Sequence, residues 1–143
     1  MNRVIWLLTL SDVFTWGACI IISGFVGLYL SAKFKEDIVE VLGIGTAIFY
    51  MGRGFFQIPI GVITDKIKTD KDDILFLLFG NILMGFPYLL FPAITQPWHY
   101  YALQFIIGIG GALNLVNWRK IFARNLEKGK EGLNYGIYDT VMS

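Results

Sequence analysis

The stretch GVITDKIKTD (residues 61–70) follows one of the most apolar parts of the chain. Residues 44–60 before it carry a single charged side chain, Arg53, whereas an aspartate and two lysines come soon after Gly61. A long apolar run that gives way abruptly to charges is typical of a helix that crosses a lipid bilayer and ends at its polar surface. The stretch therefore predicts a membrane protein, with Arg53 as a charge inside the bilayer.

The composition of the whole chain also indicates a membrane protein. Of its 143 residues, 55% are hydrophobic and 16% are charged, against about 25% charged residues in ordinary soluble domains. The net charge of +1 provides no basic face for nucleic acid. A single cysteine, Cys19, and a single histidine, His99, cannot form a zinc cluster, and no nucleophile–base pair indicates an enzyme. We therefore predict neither catalysis nor a metal or cofactor.

Four segments reach the length of about 20 mostly apolar residues that a membrane-spanning helix needs. The polar breaks between them are short, so consecutive helices should be antiparallel neighbours. The predicted fold is an all-α, polytopic membrane protein, an antiparallel bundle of transmembrane helices. Its spans are residues 4–30, 39–64, 74–94 and 98–122, followed by the start of a fifth span at 133–143.

The lysines and arginines around these spans are distributed unequally. If the N-terminus is cytoplasmic, nine of them lie on the cytoplasmic side and two, Lys33 and Lys35, on the opposite side. Cytoplasmic loops carry the excess of Lys and Arg in membrane proteins. We therefore expect a multi-pass protein of the plasma membrane with a cytoplasmic N-terminus. The nine are Arg3, Lys66, Lys68, Lys71, Arg119, Lys120, Arg124, Lys128 and Lys130.

Asp12 stands eight residues after Val4, where the first helix leaves the cytoplasm, and Arg53 stands eight residues before Gly61, near which the second helix is expected to return to it. Each is then about 12 Å from the cytoplasmic end of its helix. Ionisable groups inside a bilayer are costly and usually functional, and pairing lowers their cost. We therefore expect Asp12 and Arg53 to form an ion pair, with Gln57 extending a polar stripe one turn below Arg53. Two interpretations stay open: a pair that only joins the first two helices, and a pair that faces a water-filled substrate or proton pathway.

The fourth predicted span carries three further polar side chains, Gln104, Asn114 and Asn117. In a membrane such groups find partners on other helices or line a cavity. Together with Asp12, Arg53 and Gln57 they are the candidate residues of a substrate or ion pathway.

Small residues recur in the first and fourth spans. Within a membrane they allow helices to approach closely, and this is the expectation for Gly108, Gly110 and Gly111, and likewise for Gly17, Ala18, Ser23, Gly24 and Gly27. The aromatic cluster at residues 98–101 is expected at the outer membrane interface, where amphipathic rings lie at headgroup depth.

The stretch quoted first resembles the loop between helices two and three of the major facilitator superfamily, whose pattern is G-x-x-x-D-R/K-x-G-R/K-R/K. Gly61, Asp65 and Lys66 match it, whereas Lys68 replaces the second glycine and residues 69–70 replace the basic pair. The glycine-rich fourth span resembles the superfamily's fourth helix. There Gln104 stands where an arginine is often found, so the resemblance implies no proton-coupling arginine at that position.

The resemblance covers essentially the whole chain and implies the first four helices, and the start of the fifth, of a twelve-helix secondary transporter. Such a protein moves a small-molecule substrate by alternating access, with a proton or another coupling ion as a further partner. The missing C-terminal helices of the same transporter would be partners too. Asp65 and Lys66 would then stabilise the closed cytoplasmic side against a helix of the second half, and Gly61 would allow another backbone to approach.

Two other functions stay open from the residues alone. One is a dimeric four-helix small multidrug exporter with Asp12 as its membrane carboxylate. The other is a membrane scaffold or assembly protein whose polar residues contact only protein.

Overall fold

The structure of the chain, a computed structural model, describes residues 2–67 and 69–143, with Asp70 described for its backbone alone. Lys68, which the sequence analysis places among the cytoplasmic cations and at the motif's second glycine, lies outside the described residues. Every regular element in the described part is helical, which confirms the all-α prediction. The elements are α1 (Arg3–Phe34), α2 (Ile38–Asp65), α3 (Asp70–Gly85), α4 (Pro97–Arg124) and α5 (Glu131–Met142), with 3₁₀ segments at Lys35–Asp37 and Phe86–Ala93.

Three helical stretches of the described chain are long and apolar enough to cross a membrane, at residues 3–65, 71–93 and 97–124. The first stretch contains both α1, of 32 residues, and α2, of 28 residues. Each of these two helices exceeds the about 20 residues that a span needs. The chain is therefore a membrane protein, and the crossing of the bilayer by four separate helices stays a prediction.

The chain reverses direction between α1 and α2 at Lys35, whose φ of 44° lies in the left-handed region. Beyond this turn, Val41 of α2 packs against Val26 and Leu30 near the end of α1. The two helices are therefore antiparallel, and the turn joins their adjacent ends.

The third predicted span is not one continuous α-helix. The α-helix ends at Gly85, and the 3₁₀ segment Phe86–Ala93 continues it. This segment contains Pro87 and Pro92, which have no backbone N–H and cannot continue the α-helical hydrogen-bond pattern. Lys33 of α1 donates to the carbonyl oxygens of Pro92 (3.4 Å) and Ile94, so a cation satisfies the free carbonyls where the segment ends.

α4 is the central helix of the bundle, with α2 along one side and α3 along the other. The prediction that consecutive helices are neighbours is correct for α3 and α4, and it is wrong for α2 and α3, which hardly touch. Later residues of α2 contact later residues of α4, so these two helices run parallel. Later residues of α3 contact earlier residues of α4, so these two helices are antiparallel.

Glycines make these close contacts of α4 possible. A Cβ atom on Gly108 would lie 2.5 Å from the carbonyl oxygen of Phe49 in α2, and one on Gly110 would lie 2.8 Å from the carbonyl oxygen of Gly80 in α3. The close-packing prediction is thus confirmed for these two glycines of α4, which face opposite neighbours.

The same expectation is wrong for the glycines of α1 within the described residues. A Cβ atom on Gly17, Gly24 or Gly27 would meet nothing within 4 Å. The physical reason is that α1 packs on its neighbours through larger side chains at its two ends, such as Ile5 and Leu30.

Each of the last two helices begins at a local cap. At the start of α4, the backbone N–H groups of Thr95 and Gln96 donate to Nδ1 of His99 (3.2 and 3.3 Å), and Pro97 takes the first helical position. At the start of α5, the carboxylate of Glu131 accepts from the N–H of Gly129 (3.1 Å). The backbone N–H groups of Glu131 and Gly129 lower the pKa of the Glu131 carboxyl.

Candidate functional site

A cleft of about 380 Å³ opens between α1, α2, α4 and the element formed by α3 and its 3₁₀ segment. Its volume lies within the range of about 300–1,000 Å³ that is usual for small-molecule sites. It is reached near the middle of α1 and α2, far from either polar end. Aromatic rings and a few polar groups share its wall, among them Trp16, Phe49, Tyr50, Tyr88, Cys19 and Gln104.

Gln104 is the one predicted pathway residue on the wall of this cleft. Its Nε2 donates to the hydroxyl of Tyr100, one turn earlier on α4, at 2.7 Å. This bond fixes the half-buried amide on the wall of the cleft, and a role for Gln104 in a pathway stays a prediction.

Arg53 adjoins the cleft at the end that is nearer to the N-terminus of α1. It lies one turn beyond the cleft residue Phe49 on α2, and its guanidinium lies over the ring of Trp16, 5.3 Å from the ring centroid. Its Nε is buried and has no hydrogen-bond partner among the described residues. A cation over an indole face is attracted by the ring's electrons, so Trp16 takes the position that the sequence analysis gave to a carboxylate.

Asp12 is buried, with 4% of its surface exposed, and its Oδ2 accepts a hydrogen bond from the hydroxyl of Tyr138 in α5 at 2.8 Å. The predicted ion pair of Asp12 with Arg53 is therefore wrong, since these two described side chains are not in salt-bridge contact. The reason is register. α2 continues to Asp65, four residues beyond the expected boundary at Gly61, so Arg53 lies level with Trp16, about one helical turn from Asp12.

The remaining three predicted pathway residues lie away from the cleft wall. Asn114 donates through Nδ2 to Oδ1 of Asn81 in α3 at 2.6 Å, an interhelical partner of the expected kind. Asn117 donates to the carbonyl of Leu113 (2.8 Å), and its buried Oδ1 has no partner among the described residues. Gln57 is half-buried on α2. A role of these residues in a pathway stays a prediction.

Sequence reasoning missed a buried charge cluster at the end of the bundle where α2 ends and α3 begins. Asp73 of α3 is fully buried and contacts Lys120 (2.8 Å) and Arg124 (2.7 Å), which stand one turn apart on α4. Lys120 also donates to the carbonyl oxygens of Thr64 and Ile67, at the end of α2. The comparison of depths that was made for Asp12 and Arg53 would also have found this cluster, because α3 and α4 are antiparallel, Asp73 stands near the start of α3, and both cations stand near the end of α4.

A comparison with protein families gives one match. A sequence model of the Major Facilitator Superfamily matches residues 5–143. The chain belongs to this superfamily. No curated protein sequence and no solved structure matches it. Proteins of the major facilitator superfamily transport small molecules across membranes and are not enzymes, so transport is the function class of this chain. Among the described residues, no group of three or more His, Cys, Asp or Glu side chains is placed to hold a metal ion.

The loop residues that resemble the major facilitator superfamily pattern are accessible in the described chain. Asp65 and Lys66 are exposed, and a Cβ atom on Gly61 would meet nothing within 4 Å. The cluster around Asp73 holds this loop in place, because Lys120 binds the carbonyl oxygens on either side of Asp65 and Lys66. These hydrogen bonds therefore support the backbone that carries the exposed Asp65 and Lys66.

Proposed function

We propose that this chain contributes the first helices of a secondary active transporter that carries a small molecule across the plasma membrane by alternating access. The cleft between α1, α2 and α4 is the observation that carries the proposal. Transporters of this kind place the substrate site near the bilayer midplane, between helices that rearrange around it. The N-terminus is cytoplasmic, and a proton or another ion is the coupling partner.

In this proposal Asp65 and Lys66 stabilise the closed cytoplasmic side. Their exposure leaves them free to contact helices of the second half, and the carboxylate of Asp65 suits the positive end of a helix dipole. Superfamily membership supports this function over a dimeric four-helix exporter or a non-transporting scaffold.

Cysteine accessibility in the full transporter tests the proposal. In a variant with Ser23→Cys as its single cysteine, a membrane-impermeant thiol reagent should label position 23 from the outside. Adding Asp65→Asn should slow this outside labelling and speed labelling from the cytoplasmic side, because the cytoplasmic closure is weakened. A matched Asp72→Asn variant should change neither rate.

A scaffold would give no labelling of position 23 from either side. Labelling from one side only, at a rate that Asp65→Asn leaves unchanged, would contradict alternating access through this cleft.

A further inference from the structure

We infer that the cleft beside Arg53 binds a small organic anion with a planar or apolar body, and that Arg53 is the group that attracts it; this inference rests on the proposed transport function. The observations that carry it are the unpaired guanidinium, a second cation near it, and the aromatic wall of the cleft.

The first step concerns the charge of Arg53. A charged side chain at membrane depth normally pairs with an opposite charge. The one carboxylate expected to pair with it, Asp12, instead accepts from Tyr138. No described carboxylate lies in salt-bridge contact with Arg53, so among the described residues the face of Trp16 is what compensates its positive charge.

The second step concerns the surroundings of that charge. Arg119 of α4 lies close enough for its positive charge to act on Arg53. Asp12 and Asp139 lie near Tyr138, on which Arg119 also acts, but no described Asp or Glu lies on the wall of the cleft. The positive potential inside the cleft is therefore set by Arg53, beside Trp16. Walls of low dielectric constant focus such a potential and concentrate ions of the opposite sign, so the cleft favours anions over cations.

The third step concerns the body of the ligand. A guanidinium binds carboxylate or phosphate oxygens through paired N–H groups, and that of Arg53 lies against Trp16, which lines the cleft. From Trp16 the cleft continues past the rings of Phe49, Tyr50 and Tyr88. Its volume of about 380 Å³ accommodates a small metabolite, and its rings suit a flat or apolar one. Gln104 then supplies a polar contact at the outer end.

Cys19 provides a direct test, because it lies on the cleft wall and is the single cysteine of these 143 residues. In the full transporter, with any cysteine beyond this stretch changed to serine, Cys19 is labelled by a negatively charged methanethiosulfonate (sulfonatoethyl) and by a positively charged one (trimethylammonioethyl). Each rate is divided by the rate of the same reagent with a free thiol. We expect the anionic reagent to be favoured by about tenfold or more.

Variants identify the source of this preference. Arg53→Gln should bring the normalised ratio of the two rates close to one, whereas Arg53→Lys should keep most of the preference. Lys128→Gln, which removes a cation in the connector before α5, should leave the ratio unchanged. In addition, benzoate should slow labelling of Cys19 by an uncharged reagent, and benzylamine should not.

The possible failures separate the two proposals. If Cys19 reacts with both reagents but shows no anion preference, or if Arg53→Gln leaves the preference intact, the anion site is wrong and the water-filled transport pathway stands. If Cys19 reacts with neither reagent from either side, the cleft does not admit water, and both the anion site and transport through this cleft are wrong.

Discussion

Single lysines satisfy helix ends at both ends of the helix bundle. Lys33 donates to carbonyl oxygens at the end of the 3₁₀ segment, and Lys120 donates to carbonyl oxygens at the end of α2. The last carbonyls of a helix have no partner within it and carry a partial negative charge. Each lysine therefore links its own helix to the end of another helix. Counting the basic residues on each side of the membrane does not reveal this role.

The residue with the largest expected effect on stability is Asp73. Asp73→Asn removes a fully buried charge from Lys120 and Arg124, and breaking a buried ion pair on one side costs about 3 kcal/mol. We expect a corresponding loss in the free energy of unfolding, measured by denaturant titration in detergent micelles. Asp72→Asn, at the preceding residue of α3, is the control and should change the free energy of unfolding by less than about 0.5 kcal/mol.

Tyr138 joins α5 to α1 through one hydrogen bond to Asp12. Tyr138→Phe keeps the ring packed on Trp118 but leaves a buried carboxylate without its donor, which costs about 1–2 kcal/mol. Tyr135→Phe is the matched control, since its ring packs on Phe122 in the same way and Tyr135 itself is exposed. Equal stability of the two variants in the same unfolding measurement would contradict a structural role for the Asp12 bond.

At the scale of elements, α4 is the helix on which the others are assembled. Two of its glycines face different neighbours: Gly108 lies against α2, and Gly110 lies against α3. Backbone contact on two faces leaves no space for side chains there, so α4 must be small at these positions and its polar residues must find partners on its neighbours. Asn114 does so with Asn81.

Gly108→Ala tests this contact between helices. Its new methyl group would lie 2.5 Å from the carbonyl oxygen of Phe49, so α2 and α4 must separate, at a cost of about 1–3 kcal/mol. Gly54→Ala on α2 meets nothing within 4 Å and should leave stability unchanged or raise it by up to about 1 kcal/mol, as alanine favours helix. A Gly108→Ala variant as stable as the wild-type chain would show that the helices pack less closely than described.

At the scale of the whole molecule, many large apolar side chains of α1 and α2 point outward, such as Phe14, Phe25 and Phe55. A soluble protein of this size would not expose so many. These surfaces suit lipid or further helices of a transporter, in agreement with membership in the major facilitator superfamily.

The orientation of the whole molecule is tested by single cysteines in a Cys19→Ser background. Thr95→Cys lies in the connection before α4, and Lys128→Cys lies in the connector before α5. The excess of basic residues predicts that position 95 lies outside and position 128 in the cytoplasm. An impermeant thiol reagent added to intact cells should label position 95 at once and position 128 only after permeabilisation. The reverse pattern would show that the N-terminus lies outside.

The sequence by itself determined the membrane class, the all-α fold and the superfamily, because long apolar segments and a charged loop motif are local features. The partners of the helices were decided only by the tertiary structure. The short break at residues 65–73 indicated that the helices on either side of it would pack together, but glycines on two faces of α4 brought α4 between them.

The candidate site depended on the tertiary structure in the same way. Sequence analysis found Asp12, Arg53 and Gln104 as polar residues at membrane depth, yet it paired the first two. A shift of one helical turn, together with the rotation of Asp12 toward Tyr138, leaves Arg53 against Trp16 instead. The depth of a residue along its helix can be estimated from the sequence to within about one helical turn. The direction in which its side chain points is set by the packing of all the helices at once.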